Sequence, residues 1–207
     1  MIKLLSPLVT LGALLCAPMG AQAVVYTFNA ALNSANEVAA GVASAATATG
    51  IATLSYDTMG TASPADDTYS FAMSVFGLSG AATGFHIHGA ATATETASVR
   101  VNLALAPFVN LNLGGNLLVG GSGVLPVAIP ATPASLSNAG HLAMSFLDML
   151  RSDLAYVNVH TALNPSGAVR GQLIEVSVVP EPSTYAMLLA GVGVLGWSLR
   201  RQRRGRR

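Results

Sequence analysis

Gly84-Phe85-His86-Ile87-His88-Gly89 and Tyr156-Val157-Asn158-Val159-His160-Thr161 decide how this chain reads. Both segments alternate in polarity with period 2, the signature of strands that bury one face. Side chains two apart in a strand share a face. His86 and His88 therefore point one way, and Phe85 and Ile87 the other. His160 shares a face with Asn158 and Tyr156, opposite Val157 and Val159. If the apolar residues face a core, all three histidines stand outside it.

The same alternation recurs along the chain. Tyr26, Phe28 and Ala30 alternate with Thr27 and Asn29. Ile51, Thr53 and Ser55 oppose Ala52, Leu54 and Tyr56, and Tyr69, Phe71, Met73 and Val75 alternate with small residues. The stretch 57–67, with Gly60 and Pro64, reads as a turn whose Asp66 and Asp67 are solvated. Val99, Val101, Leu103 and Leu105 suggest a further strand. So does 124–129, where Pro126 points to a sheet edge. The Gly-rich stretch 114–123 reads as a flexible loop; no lysine or helix start follows it, so it is no phosphate cradle. Leu142, Phe146, Met149 and Leu150 predict one helix over 137–152, with Ser135 or Ser137 as N-cap. These elements predict an all-β fold, an antiparallel sandwich carrying one short helix.

Composition narrows the chemistry. The chain has 207 residues, 9% charged and 52% hydrophobic. Its net charge of +1 hides an uneven distribution. Residues 24–179 carry three arginines against eight carboxylates, and the end of the chain carries six arginines. A mildly acidic domain offers no phosphate-binding face, so nucleic acid is not an expected partner. The only cysteine is Cys16 and the only lysine Lys3, both near the N-terminus. A thiol nucleophile, a disulfide and a Schiff-base lysine are thereby excluded from residues 24–177. There is no Gly-x-Ser-x-Gly, and no pair of carboxylates stands out for sugar hydrolysis.

The two ends read as addresses. Lys3, an apolar stretch over 4–15 and the small-x-small site Ala21-Gln22-Ala23 form a secretory signal, placing the mature start at Val24. Leu14 and Leu15 precede Cys16, where a lipidation site wants small residues. At the other end, Val179-Pro180-Glu181-Pro182 leads into an apolar run over 185–199 and then an arginine cluster. That run spans about 22 Å as a helix, short for a bilayer unless flanking side chains snorkel. The arginines predict a cytoplasmic C-terminus. The chain thus divides into a signal peptide at 1–23, a β domain at 24–177 and a tail at 178–207. The tail resembles the PEP-CTERM sorting signal of Gram-negative bacteria. That resemblance implies secretion, transient residence in the inner membrane, and recognition near Pro180, Glu181 and Pro182 by an exosortase-type protease. It further implies delivery to the cell surface or the exopolysaccharide matrix. A plain uncut tail anchor is the alternative.

The two histidine segments, with Asn164-Pro165-Ser166-Gly167-Ala168-Val169-Arg170-Gly171-Gln172-Leu173 and Asn36-Glu37-Val38, resemble the CHRD (chordin-type) domain over residues 26–174. The family usually has prolines after the early Glu, where this chain has Ala39-Ala40. The resemblance implies an extracellular immunoglobulin-like β-fold; it does not imply an enzymatic activity. Gly84-Phe85-His86-Ile87-His88 also resembles the copper-binding strand of copper/zinc superoxide dismutases. Their zinc-ligand loop and paired cysteines are absent here.

Two readings of His86, His88 and His160 follow. They are hydrogen-bonded clamps between strands, or they are three ligands of a copper or zinc ion with an open fourth position. Arg170, Glu37 and Asn158 are the surrounding polar candidates, Glu37 as a partner for Arg170. His141 is expected at the start of the helix, as a surface or capping residue. The leading functional expectation is a non-enzymatic structural or binding module, exported to the surface or matrix. The alternative is a copper-binding, superoxide-dismutase-like redox protein.

Overall fold

A computed structural model of the chain describes residues 23–38, 47–124, 141, 144–176 and 182–204, without side chains at 182–187, 198–199 and 202–204. The chain forms two units, Met1–Glu175 and Val176–Arg207. The first contains β1 (Val25–Asn33), β2 (Thr49–Asp57), β3 (Thr68–Phe76), β4 (Ala82–His88), β5 (Val99–Asn102), β6 (Val109–Leu113), β7 (Asn116–Val124), α1 (Phe146–Arg151), β8 (Tyr156–Thr161), β9 (Val169–Gln172) and β10 (Ile174–Glu175). The strands run β5-β4-β8-β9-β1-β2-β3-β7-β6, with β10 on β1. Every pairing is antiparallel.

The alternation read from the sequence explains the core. Phe28, Ala30 and Leu32 of β1, Leu54 of β2 and Phe71 and Val75 of β3 are buried. They pack in one cluster with Phe85 and Ile87 of β4 and Val157 and Val159 of β8. The sheet therefore curls until its two halves share one apolar interior. Each fully buried Leu, Ile or Phe there contributes about 1.5–3 kcal/mol of transfer free energy.

Several local expectations are corrected. The stretch 114–123 is not a flexible loop: Gly114 and Gly115 form the tight turn between β6 and β7, and Gly120, Gly121 and Gly123 lie in β7, which pairs with β3 and β6. Leu117 and Val119 from this stretch enter the core. Gly121 is there for space, because a Cβ would stand 2.9 Å from the Cα of Phe108. The strand at Val99 stops at Asn102, whose side chain accepts from the Ala104 amide at 3.0 Å and turns the chain. Leu103 is buried beyond that turn and Leu105 is exposed. The helix begins at Phe146, because Ser145 is extended and caps it by accepting from the Asp148 amide. Ser135, Ser137, Leu142 and the proposed strand at 125–129 lie outside the described residues. Asp67 is buried rather than solvated, accepting a hydrogen bond from the Tyr56 hydroxyl. Burial, then this bond, pushes the Tyr56 phenol up.

The second unit contains α2 (Pro182–Arg204). Its apolar side chains Leu188, Leu189, Val192, Val194, Leu195 and Trp197 are exposed. Among the described residues, no helix is long and apolar enough to cross a membrane.

Candidate metal centre

Antiparallel pairing of β4 with β8 sets His86 opposite Asn158, His88 opposite Tyr156 and Gly84 opposite His160. His160 is therefore diagonal to His86, within reach of long side chains on the same face. The imidazole centroids lie 5.5 Å apart for His86–His88, 5.3 Å for His86–His160 and 6.0 Å for His88–His160. One nitrogen from each ring falls within 4.8 Å of the others. Metal–imidazole bonds of about 2.0–2.1 Å keep ligand nitrogens within about 4 Å, so small ring rotations close the set around an ion. Gly84 makes the approach possible: a Cβ there would meet His86 Cε1 at 3.0 Å and His160 Cδ2 at 3.5 Å.

Two of the three rings have defined hydrogen-bond states. His88 Nδ1 is 2.9 Å from the Ala97 carbonyl, and His160 Nδ1 is 3.0 Å from the Pro165 carbonyl. A carbonyl only accepts, so both Nδ1 atoms carry hydrogen and the neutral rings keep a lone pair on Nε2. Among the described residues, His88 Nε2 and His86 Nδ1 are buried without a hydrogen-bond partner. Burial holds the His88 imidazolium down to about 4, with the charges of His86, His160 and Arg170 adding to it. Burial also lowers His86, helped by His160, and it lowers His160. Neutral imidazoles with unshared lone pairs are the state a metal requires.

A strap over 89–98 links β4 to β5 and is tied to the histidine-bearing side of the sheet through backbone groups. Arg170 Nη1 donates to the Glu95 carbonyl at 2.6 Å, and Nη2 to the Thr92 carbonyl at 2.8 Å. Gln172 Nε2 donates to the Ala91 carbonyl at 2.8 Å. The Ala97 amide donates to the Tyr156 hydroxyl at 3.1 Å, which reaches back to the Ala97 carbonyl at 3.4 Å. The Tyr156 ring stacks on His88, with centroids 4.9 Å apart and 8° between planes. The Arg170 guanidinium lies 3.5 Å from the same ring centroid.

The His-x-His strand, the Tyr-Val-Asn-Val-His strand and the Arg-Gly-Gln strand thus lie side by side as β4, β8 and β9. Residues 28–173 match the CHRD domain. The chain belongs to the CHRD domain family. Residues 178–204 match the PEP-CTERM protein-sorting motif, which makes it an exported, exosortase-targeted surface protein. No curated protein and no solved structure matches the chain.

In this CHRD domain the predicted surrounding residues have separate roles. Arg170 is 2% exposed and bonds to carbonyls of the strap rather than to Glu37. Among the described residues, Glu37 is in neither carboxylate contact of this kind: Arg151 pairs with Glu175, and His141 Nε2 lies against Glu95. Burial raises the Glu37 carboxyl to about 7, against the opposing influence of Arg170 and of the Asn158 side chain. Asn158 Oδ1 and Glu37 Oε1 have no hydrogen-bond partner among the described residues. Gly167, at φ 139°, sits under that carboxyl: a Cβ would stand 2.5 Å from Glu37 Oε2. A cleft of about 460 Å³ opens beside it, lined by Glu37, Val38, Thr94, Arg170 and Gln172. His141 is not at the helix start; its Nε2 meets Glu95 Oε2 at 3.0 Å. Ala21, Pro180 and Glu181 fall outside the described residues; Ala23 is exposed, and Pro182 opens α2. The sequence reading missed Tyr156 as a stacking partner and Gly84 as the space-maker. Their register to His88 and His160 was the available signal.

Proposed function

We propose that this exported CHRD domain is a metal-binding module, with His86, His88 and His160 as ligands of a copper or zinc ion. The observation that carries the reading is the pair of buried, unpartnered nitrogens, His86 Nδ1 and His88 Nε2, beside a third ring whose Nδ1 is also tied to a carbonyl. Clamping histidines would spend those nitrogens on hydrogen bonds, since an unpaired buried polar atom costs about 1–3 kcal/mol. Carbonyls behind metal-bound imidazoles are the usual device for fixing tautomer and ring direction. Three imidazoles leave an open position, and among common divalent ions copper binds such nitrogens most tightly. A redox role of the superoxide-dismutase kind would use that position; a purely binding role would not.

Export supplies the setting. In this reading the signal at 1–23 is removed after Ala23 and the β domain spans 24–177. The tail at 178–207 holds the chain briefly at the inner membrane, its arginines on the cytoplasmic side. Cleavage near Pro180-Glu181-Pro182 then releases the domain to the surface or to an exopolysaccharide matrix.

The test is titration of the full chain with copper(II) and zinc(II), followed by metal analysis after dialysis. One equivalent per chain is expected, with binding lost in His88→Ala and weakening as the imidazoles protonate in acid. No retained metal in the unaltered chain, together with a lower melting temperature for His88→Ala, would establish the clamp instead.

A further inference from the structure

The ligand set leaves a large part of the site unused. Arg170 and Tyr156 supply no ligand in that set, yet both are buried on the histidine side of the sheet. A buried guanidinium is normally matched by a carboxylate. Here its partners are two strap carbonyls, a weaker contact to the Gln172 side chain at 3.5 Å, and the face of Tyr156. The strap residues it grips, Thr92 and Glu95, precede Ala97, whose carbonyl accepts from His88 Nδ1. Glu95 is fixed from its own side as well: its carboxylate accepts from the Thr92 amide and hydroxyl, each at 2.9 Å, and meets His141.

We infer that Arg170 is a positioning residue for His88, acting through the strap. By holding the Thr92 and Glu95 carbonyls it sets the Ala97 carbonyl against His88 Nδ1, which keeps the proton there and leaves Nε2 bare for the metal. Tyr156 lies on β8, between β4 and β9, and closes the same circuit. Its hydroxyl holds Ala97 while its ring is stacked by His88 from β4 and by Arg170 from β9. A lysine could not replace the arginine: one ammonium neither bridges two carbonyls in a plane nor stacks on a ring.

This inference rests on the metal-binding reading for its purpose, but its first readout needs no metal. The full chain carrying isotope-labelled histidine is compared with Arg170→Lys and Tyr156→Phe by imidazole nitrogen NMR. Unaltered protein is expected to show His88 hydrogen on Nδ1 alone. Arg170→Lys should give a mixture of tautomers, and Tyr156→Phe a smaller change in the same direction, because it keeps the stack and loses only the hydroxyl. Copper(II) affinity should fall roughly 10–100-fold in Arg170→Lys, the range for losing a group that orients a ligand. An unchanged His88 tautomer in both variants overturns the inference, even if both melt earlier, since a merely structural role lowers stability without moving that proton. Absence of copper binding in the unaltered chain would remove the metal-binding reading alone. The tautomer result would still decide whether Arg170 sets the His88 proton.

Discussion

The two halves of the curled sheet share one core and differ on their outer faces. On β4, β8 and β9 the outward residues are His86, His88, Tyr156, Asn158 and Arg170, and most of them are buried. On β2, β3, β7 and β6 a cross-strand row runs Ile51, Ser74, Leu118 and Leu111. Ile51 is 66% exposed and Leu111 51%. One half hides costly polar groups on the side away from the core; the other leaves apolar groups in water. Scattered exposed apolar residues are ordinary. Buried histidine and arginine away from a core are not, because each demands a partner. The difference marks where the molecule does something other than fold.

Glycine substitution tests this contrast most sharply. Gly84→Ala pushes a methyl toward both the His86 and His160 rings and should weaken copper binding by about 10-fold. Gly120 faces outward on the other half, where a Cβ would meet only the Phe71 carbonyl oxygen at 3.9 Å. Gly120→Ala should leave binding unchanged and raise stability by about 0.4–1 kcal/mol. Copper titration and thermal melts of the two variants read both effects. Equal copper affinities would mean that the histidine face is no more tightly built than the open one.

A second contrast is in pH response. Glu37 has its carboxyl raised to about 7 by burial, from 4.5. The folded chain keeps this proton over a range in which the unfolded chain has released it. The Glu37 contribution therefore favours folding at acid pH and is lost as pH rises from 4.5 through about 7. Glu37→Gln removes that dependence. Relative to the unaltered metal-free chain, the variant should gain on the order of 1 kcal/mol between pH 4.5 and 8, a screened remainder because the site is partly solvated. Melting curves across that range would sink the assignment if the gap between the two proteins stayed constant. Among the described residues, the open face of the other half carries no such group.

The smallest effect is expected on the open face itself. Ile51→Ser should change stability by no more than about 0.5 kcal/mol and leave metal affinity untouched. A loss well beyond that, seen in chemical denaturation, would mean that this face is covered in the working protein.

Strand faces were legible because alternation is a local property: two residues fix which way a third points. The outward direction of the three histidines and the inward one of Phe85, Ile87, Val157 and Val159 needed nothing else. Glycines misled for the opposite reason. At 114–123 their small size serves contact with Phe108 and pairing with β3, and neither is visible in neighbouring letters. Asp67 likewise reads as a turn residue until Tyr56 is brought to it by the β2–β3 hairpin.

Sequence alone determined that residues of the β domain form strands, that His86, His88 and His160 share the side away from the core, and that it contains neither a cysteine thiol nor a lysine amine. The order and polarity of the last residues also determined the sorting tail, since a linear signal needs no fold to be read. Tertiary structure alone decided which nitrogens are bare. That depends on the carbonyls of Ala97 and Pro165, and every residue type carries the same carbonyl. It also decided the partner of Arg170: the expected carboxylate of Glu37 gave way to strap carbonyls and the Tyr156 ring. Backbone groups leave no mark on a sequence, so an arginine that they satisfy reads there as an unpaired charge.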